Sequence, residues 1–374
     1  MNPNAIVLYR GPLGRSRVGF LLEATTRAYG DITFIWACTR PMVADLVHHF
    51  QAFIERVPGV SDWEIIDGHA TSQISGRSRI RSRIRGDLPI IAAGFTTLHL
   101  LAAAGRRATV YCPSGIPEER MLDGRSIRNT LGTASSWALL RSLPEPGMTV
   151  TVSRRMSDLF RRRTRWSRFE AVPLCVDRTV FQPGRDGTRL AYLGTGAAWQ
   201  GLDQLAETWR ALSQSMPSAE FRVISRDERT RVLVDAVGDD RCDIVAADQP
   251  EDVARALQDC RVGFVLRSNH LVNRVAYPTK VGEYLASGAP VVTTDIDWDV
   301  GDLIRDLRCG TLVSPDAGPT AVTHAVQGLL ARDRDELARQ CDRGAGTLER
   351  ASWVSYLASR LPGSNVAAED GPRS

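Results

Sequence analysis

The sequence has almost no lysine. Of its 374 residues, 47 are lysine or arginine, and Lys280 is the single lysine. A bias in base composition accounts for a general preference for arginine, since the two side chains are interchangeable on an open surface. They are not interchangeable at a confined site. Lys280 is therefore a candidate for a role that a planar guanidinium cannot fill.

Long apolar runs and paired cysteines are also missing. No apolar run approaches the roughly 18 residues that a transmembrane helix needs, and the N-terminus lacks the features of a secretory signal. The seven cysteines are odd in number and never spaced as Cys-x-x-Cys, which argues against a disulfide framework and against a zinc site. The net charge of +4 is too small to indicate nucleic acid. We expect a cytoplasmic protein with no metal site.

Short apolar runs alternate with amphipathic segments along the chain, the pattern of βαβ units around parallel sheets. The predicted strands are 5–9, 32–37, 63–66, 89–93, 109–112, 148–152, 190–193, 221–224, 243–245, 262–266, 291–293 and 311–313. The length favours two domains, and prolines and glycines mark a linker between them. We predict an N-terminal domain over 1–172, a linker over 173–187, a second domain over 188–350, a last helix over 351–362 and a disordered tail over 363–374.

The segment Tyr192-Leu-Gly-Thr-Gly-Ala-Ala-Trp-Gln-Gly201 joins a predicted strand to an amphipathic helix. A strand, a glycine-containing turn and a helix start together present backbone N–H groups and a positive dipole end, which suit a phosphate. Glycine turns after strands are common, so this pattern alone is a weak indication.

A short helix is predicted between Pro278 and Gly288, because proline favours a helix start and glycine a helix end. Thr279 is the predicted cap of this helix. Lys280 and Glu283 are three residues apart and share one helical face, so the lysine can meet phosphates while the glutamate accepts hydrogen bonds from ribose hydroxyls. An ordinary surface Lys–Glu pair explains the same spacing.

The segment Pro278-Thr-Lys-Val-Gly-Glu-Tyr-Leu-Ala-Ser-Gly-Ala-Pro-Val-Val292 resembles the donor-site signature of retaining glycosyltransferases of family 4. Looser similarities to this family occur in the same order at 172–177, 181–183, 192–203 and 352–353. The resemblance implies the α/β GT-B fold: two Rossmann-like domains with a cleft between them, and a C-terminal helix that crosses back to the N-terminal domain.

The resemblance also implies roles for particular residues. Glu283 matches the second glutamate of the family's Glu-x7-Glu motif, which implies ribose binding, whereas the first glutamate falls at Val275. The arginine and lysine that commonly grip the diphosphate in the family's first donor-domain loop are absent, which leaves arginines elsewhere and Lys280 as substitutes. The predicted donor-binding residues are Gly194, Thr195, Gly196, Gln200, Arg267, Asn273, Arg274, Thr279, Lys280 and Glu283. Lys280 is also a predicted catalytic residue.

The N-terminal domain is expected to hold the acceptor. Gly11, Gly14 and Arg15 lie in a loop that resembles the family's glycine-containing loop at the cleft, although a tight turn without function is nearly as good an explanation. Glu118 and Glu119 lie in a segment similar to a family loop with two acidic residues, and they are predicted to orient an acceptor hydroxyl or act as base. A solvated helix start is the alternative for these two glutamates.

The predicted reaction moves a hexosyl group from a nucleoside diphosphate sugar to an acceptor hydroxyl of a glycan, a lipid-linked molecule or a small molecule. The resemblance implies retention of configuration, no divalent ion and no cofactor besides the nucleotide sugar. Two alternatives stay open: a sugar-nucleotide 2-epimerase of the same fold, and a non-catalytic partner or scaffold protein of that fold.

One further pattern is a run of alternating arginines, namely Arg77, Arg79, Arg81, Arg83 and Arg85. Such a run can contact acidic lipid headgroups, so we predict peripheral contact with an anionic membrane at its inner face. The alternative is a solvated loop in an arginine-rich chain. Nucleic acid is not predicted, because aromatic residues do not interleave the run and no nucleic-acid motif is present.

Overall fold

The computed structural model describes residues 4–9, 15–37, 51, 53–55, 57–66, 80–84, 86–94, 96–124, 126–184, 187–238, 240–247 and 249–372. Contacts divide the chain into two compact units. The first unit comprises Met1–Pro173 and Ala351–Pro372, and the second comprises Leu174–Arg350. The segment predicted as a linker, 173–187, therefore falls almost entirely within the second unit.

The first unit contains a parallel sheet in the order β3-β2-β1-β4-β5-β6-β7. Its strands are β1 (Ala5–Tyr9), β2 (Ile32–Ala37), β3 (Val60–Ile66), β4 (Ile90–Ala93), β5 (Val110–Cys112), β6 (Met148–Thr151) and β7 (Phe169–Ala171). Its described helices are α1 (Arg15–Tyr29), α2 (Thr97–Ala103), a 3-10 helix (Pro117–Asp123), α3 (Ile127–Ser142) and α4 (Arg154–Thr164). The strand order reverses direction between β1 and β4, as in doubly wound folds.

The second unit contains another parallel sheet, in the order β10-β9-β8-β11-β12-β13. Its strands are β8 (Arg189–Leu193), β9 (Phe221–Ile224), β10 (Cys242–Val245), β11 (Cys260–Val265), β12 (Val291–Thr294) and β13 (Gly310–Val313). Its helices are α5 (Leu202–Ser215), α6 (Arg231–Val237), α7 (Pro250–Leu257), α8 (Leu271–Val275), α9 (Thr279–Ala286), α10 (Asp299–Leu307), α11 (Pro319–Leu330) and α12 (Arg334–Thr347). Short 3-10 turns lie at Ala198–Gln200 and Glu228–Thr230. The reversal point here lies between β8 and β11.

The sequence explains why these sheets form. Strand β1 is a continuous apolar run with every residue buried, as expected for a parallel strand covered on both faces. Helix α5 turns one apolar stripe inward, and its Trp209 ring lies 4.9 Å from the Phe221 ring, centroid to centroid. Burial of such stripes against the sheet holds each unit together.

The last helix, α13 (Arg350–Arg360), supplies Val354, Leu357 and Ala358 to the hydrophobic core of the first unit. The predicted disorder of the following tail is wrong for residues 363–372. There the backbone N–H of Asn365 donates to the Ala28 carbonyl at 3.1 Å, and Val366 packs against the same core. An apolar side chain and a satisfied backbone group hold this otherwise polar segment in place.

No helix of the described ranges is both long enough and apolar enough to cross a membrane. Among the same residues, no group of three or more His, Cys, Asp or Glu side chains is arranged to hold a metal ion.

Candidate functional site

The candidate site of the second unit lies where strands β8 and β11 end side by side. In doubly wound sheets, ligands bind at the carboxyl ends of the strands where the strand order reverses. Strand β8 ends at Leu193 and leads into Gly194, and Arg267 follows the end of β11 by two residues. The structure therefore places several predicted donor-binding residues at the position that the topology favours.

Lys280 lies in the first turn of α9 and is buried. Its Nζ donates to Gln200 Oε1 at 2.8 Å and lies 4.7 Å from the centroid of the Tyr192 ring. Gly194 has a φ of +145°, and a Cβ at this position would lie 2.6 Å from the lysine Nζ. The ammonium is thus enclosed by an amide oxygen, an aromatic face and a backbone that has room for it only because residue 194 is glycine.

Arg267 is a second buried cation, with 4% of its surface exposed. Its backbone N–H donates to Thr294 Oγ1 at 3.0 Å, and its Nη1 donates to the Trp199 carbonyl at 3.2 Å. Its Nε has no hydrogen-bond partner, and no carboxylate lies within ion-pair distance among the residues that the structure describes. Burial lowers the pKa of Arg267 to about 10. A buried charge without a counter-ion is unfavourable unless a ligand supplies one.

We call Arg267 and Lys280 the buried cation pair, because both are buried and the charge of Arg267 affects the pKa of Lys280. Burial lowers the pKa of Lys280 well below its usual value, and the Arg267 charge lowers it further. Burial also raises the pKa of Glu283 to about 7, against the opposing effect of Lys280. Within the described residues, no group hydrogen-bonds to the Glu283 carboxylate. An anion beside the pair would relieve the repulsion between the two cations.

The sequence predicts that the loop beginning at Gly194 offers its backbone N–H groups to a phosphate, and the structure uses the glycine N–H groups differently. The N–H of Gly196 donates to Asp227 Oδ2 at 2.8 Å, and that of Gly194 donates to the Ile224 carbonyl at 3.2 Å. Hydrogen bonds from Arg229, and then from Gly196, hold the pKa of Asp227 far below its usual range. The carbonyl of Thr195 accepts from the Tyr192 hydroxyl at 2.7 Å. These two N–H groups are therefore already bonded within the protein, and the loop mainly makes room for Lys280.

The other predicted donor-side residues occupy varied positions. The Nδ2 of buried Asn273 donates to the Ser268 carbonyl at 3.0 Å, and its Oδ1 lies 3.5 Å from Arg267 Nη1. Arg274 donates through Nε to Asn269 Oδ1 at 2.8 Å. The structure thus brings Asn273 to the buried cation pair, whereas Arg274 of α8 is bonded to Asn269, which precedes that helix.

Thr279 is not a helix cap, so that prediction is wrong. Pro278 has extended backbone angles and occupies the N-cap position, and no side chain caps the helix. Thr279 is the first helical residue, whereas a capping hydroxyl must belong to the non-helical residue before it. The expected end of the helix is present, because Gly288 follows the C-cap Ser287 with a φ of +79°.

Val275 ends the short helix α8 and is buried. The position that matches the family's first glutamate therefore carries an apolar side chain in the interior of the second unit. Asn273 is the nearby polar residue, and its Oδ1 contacts Arg267 of the buried cation pair.

Sequence reasoning missed the two tyrosines that shape the site. Tyr192 lies under Lys280, and the Tyr284 hydroxyl accepts from the Leu193 N–H at 2.6 Å and donates to the Ala191 carbonyl at 3.2 Å. A Cβ at Gly263 would lie 2.4 Å from the Tyr284 ring. Tyr284 thus ties α9 to the end of β8. Both tyrosines stand in the quoted motifs, but only the folded chain shows what their rings and hydroxyls contact.

In the first unit, the 3-10 helix after β5 carries the two predicted acidic residues. Glu118 Oε1 accepts from Trp137 Nε1 at 3.0 Å, while its Oε2 is buried and has no partner among the described residues. Glu119 Oε1 accepts from the Ile116 N–H at 3.3 Å, and burial raises the pKa of Glu119. Glu119 is therefore partly used to cap its own helix, whereas Glu118 keeps one oxygen for another donor.

The structure describes only part of the predicted acceptor-side loop. Gly11 and Gly14 lie outside the described residues, and Arg15 is described by its backbone alone, as the first residue of α1. Arg17, which was not predicted, donates through Nη2 to the Pro113 carbonyl. Burial lowers the pKa of Arg17, and Glu119 is among the groups that oppose this shift. The first turns of α1 thus supply a half-buried cation to the segment that carries the glutamates.

The alternating arginine run is described only at Arg81 and Arg83, since Arg77, Arg79 and Arg85 lie outside the described residues. Arg83 pairs with Asp62 at 2.5 Å and with Glu64 at 2.9 Å, both on β3. These carboxylates neutralise Arg83, so this residue offers less to an anionic membrane than the sequence suggested.

Comparisons with known proteins agree with this architecture. Residues 187–332 match the family model described as "Glycosyl transferases group 1", and no curated protein matches the chain significantly. Sucrose-phosphate synthase from Thermosynechococcus elongatus is similar in structure, with a TM-score of 0.70, 14% identity and coverage of 94% of this chain and 96% of that one. HepE of Anabaena in complex with UDP and glucose has a TM-score of 0.70 and 11% identity, with coverage of 96% and 99%.

A third similar structure is the trehalose-6-phosphate protein of E. coli bound with UDP-2-fluoro glucose, with a TM-score of 0.65, 11% identity and coverage of 96% and 99%. The chain therefore has the GT-B fold, which confirms the predicted fold class. The match of residues 187–332 to the glycosyl transferases group 1 model agrees with the resemblance to glycosyltransferases of family 4.

Proposed function

We propose that this protein transfers a glycosyl group from a nucleoside diphosphate sugar to an acceptor hydroxyl. The buried cation pair carries the proposal, because Arg267 has a free Nε and no carboxylate partner in the described chain. A diphosphate supplies the missing negative charge at the strand ends where ligands of such sheets bind. The family match and the UDP held by structural neighbours support this choice of ligand.

The proposed reaction breaks the bond between the anomeric carbon and a diphosphate oxygen and forms a bond from that carbon to the acceptor oxygen. The acceptor hydroxyl loses its proton in the process. Lys280 and Arg267 stabilise the charge that develops on the departing diphosphate, and Glu283 holds the ribose as a hydrogen-bond acceptor. Retention of configuration and independence from a divalent ion belong to the same proposal, because the resemblance implies them.

On the acceptor side we propose Glu118 rather than Glu119 as the residue that meets the acceptor hydroxyl. The free Oε2 of Glu118 is in a buried position, where an unpaired carboxylate oxygen favours a hydroxyl donor. Glu119 already accepts from the backbone of its own 3-10 helix. The first unit is accordingly the proposed acceptor-binding domain, and the second the proposed donor-binding domain.

The test is a turnover assay with the full chain. Uridine, guanosine and adenosine diphosphate sugars are each incubated with the protein and an extract of hydroxyl-bearing acceptors, and products are identified by mass spectrometry. We expect a free nucleoside diphosphate together with an acceptor that is heavier by one glycosyl unit. Conversion of the donor to its 2-epimer would show an epimerase instead. Nucleotide binding without turnover of any donor would show a non-catalytic protein.

A pH dependence follows from Glu283. Its pKa is raised to about 7 in the free protein, and ribose hydroxyls donate more strongly to the carboxylate than to the protonated acid. Binding therefore lowers this pKa, so the contribution of Glu283 to the affinity for a nucleoside diphosphate is complete above about pH 7 and falls as the pH drops through that value. The limiting slope is about tenfold per pH unit. Calorimetric titration between about pH 5.5 and 8 measures it.

Glu283→Gln is the matched control, because the amide keeps the shape and does not titrate. Protonation of the ligand's terminal phosphate affects both proteins equally, so the difference between the two profiles isolates the carboxylate. Glu283→Gln should bind more weakly at high pH and show the flatter profile. Identical profiles would remove Glu283 from the ribose site.

A further inference from the structure

Helix α3 of the first unit exposes large apolar side chains. Ile127 is 82% exposed, Leu131 64% and Leu139 46%, although the opposite face of the same helix packs inward through Ser136, Trp137 and Leu140. Single exposed leucines are normal on protein surfaces, but exposed Ile127 and Leu131 share one helix face, which indicates an interaction surface.

The exposed side chains are aligned. Positions 127, 131, 134 and 138 are spaced by four, three and four residues, which places them along one line of an α-helix. All four are exposed. We call Ile127, Leu131, Ala134 and Ala138 the outer ridge, and Leu139 adjoins it one step around the helix.

The surroundings of the outer ridge are basic. Helix α3 contains no acidic residue, and exposed Arg128 and Arg141 fall on opposite sides of the ridge at 100° per residue. A Cβ at Gly132 would lie 2.9 Å from Arg120 Nη1, so that guanidinium rests against the same helix. Arg128, Arg141 and Arg120 form no ion pair within the described part of the chain. The neighbouring helix α4 ends in exposed Arg161, Arg162 and Arg163. Of these, Arg161 pairs with Asp158 at 2.6 Å and Arg163 lies 3.9 Å from Glu118 Oε1.

We propose that the outer ridge docks on an anionic lipid bilayer. Ile127 and Leu131 enter the boundary between headgroups and acyl chains, and the flanking arginines reach the acidic headgroups while their stems stay against the apolar surface. Each such arginine adds an electrostatic attraction that salt weakens. Apolar residues between basic flanks, without a nearby acidic residue on the helix, are the composition that such a surface requires.

The side chains on and beside the outer ridge argue against two other binding partners for it, a second copy of the chain and nucleic acid. A second copy related by a two-fold axis along this face would bring Arg128 of one helix towards Arg141 of the other, with no acidic residue of α3 to separate them. Nucleic acid would attract the arginines but gain nothing from the isoleucine and leucine, because no aromatic residue on the ridge can stack on a base.

Docking also bears on the acceptor, and this step rests on the proposed function. Trp137, on the inner face of α3, donates to the Glu118 carboxylate. The candidate acceptor residue therefore lies one helix diameter, about 10 Å, from the docked face. An acceptor hydroxyl carried by a membrane lipid fits this placement, which selects the lipid-linked class among the acceptors considered.

The experiment uses the full chain and co-sedimentation with vesicles of phosphatidylcholine, with or without phosphatidylglycerol, at low and high salt. The wild type should bind the anionic vesicles, less so at high salt. Ile127→Ser with Leu131→Ser should weaken binding by about tenfold or more. The control is Ile244→Ser, because Ile244 is 44% exposed on β10 of the second unit and should leave vesicle binding unchanged.

Thermal unfolding shows whether each variant folds, and affinity for the nucleoside diphosphate found in the turnover assay separates this proposal from the proposed function. The proposal fails if the wild type does not bind anionic vesicles, or if the double variant binds them as tightly. It also fails if the wild type forms a dimer in gel filtration without lipid and the double variant does not. Binding of RNA by the wild type without binding of vesicles would contradict it as well. Replacing Arg79, Arg81 and Arg83 by serine tests the arginine run separately: loss of binding there alone would assign the contact to that run.

Discussion

Replacing Lys280 by arginine is expected to lower kcat about 10²- to 10³-fold while changing the donor KM far less. Arginine keeps the positive charge, but its guanidinium needs more space than the lysine ammonium. The ammonium lies between the Tyr192 ring, Gln200 Oε1 and the backbone of Gly194, where a planar guanidinium would collide. Because charge develops on the diphosphate as it departs, a displaced cation weakens the transition state more than the bound donor.

The measurement is steady-state kinetics with the donor identified by the turnover assay. Arg210→Lys is the matched control, since Arg210 is exposed on α5 and the same pair of residues should be interchangeable on an open surface. Lys280→Met, which removes the charge altogether, should lower both kcat and donor affinity. A Lys280→Arg enzyme with near-native kcat would show that the single lysine is an accident of composition.

Arg267→Met should change two properties in opposite directions. Loss of the buried cation should weaken nucleoside diphosphate binding by about 2–5 kcal/mol. The free energy of unfolding of the ligand-free protein should be unchanged or rise by about 1 kcal/mol, because methionine removes a buried charge that has no carboxylate partner. Burial of that charge already lowers the arginine pKa to about 10. Calorimetric titration and denaturant unfolding measure the two effects.

Arg222→Met is the matched control. Arg222 is paired, since its Nε donates to Asp243 Oδ1 at 3.1 Å and its Nη2 donates to Asp243 Oδ2 at 2.6 Å. Its loss should destabilise the protein by about 1–3 kcal/mol without changing nucleotide affinity. If Arg267→Met is destabilised to a similar degree and binds nucleotide normally, Arg267 has a structural role and the buried cation pair is not a ligand site.

The central strands could be predicted from sequence because they are buried on both faces. Strands β1 and β2, in which every residue is buried, have the predicted bounds. Strand β9 also has the predicted bounds, although Arg222 interrupts its apolar run. The edge strands of the first sheet were harder to predict from the sequence. Strand β7, Phe169–Ala171, was not predicted, and β3 begins at Val60, three residues before the prediction. An edge strand faces water on one side, and its polar residues hide the pattern.

The site was predictable only where its residues are close in sequence. Lys280 and Glu283 share a helical face, and the spacing alone indicates this. Gln200 and Tyr192 lie some eighty residues earlier, so their contacts with the lysine depend on β8 and β11 being neighbours in the sheet. The capture of the Gly196 N–H by Asp227 depends in the same way on β9 lying beside β8. Local sequence patterns indicate candidate residues, and the order of the strands in the sheet determines which of these residues come into contact.

The first unit is assembled from two distant stretches of chain, and this matters for synthesis on the ribosome. Its core includes Val354, Leu357 and Ala358 of α13, which emerge only after the whole of Leu174–Arg350 has been made. The second unit is continuous in sequence and can fold while the first unit still lacks the part of its hydrophobic core that α13 supplies. A nascent chain paused near residue 340 would thus expose apolar surface on the unit that was translated first, and chaperones would be expected to bind there.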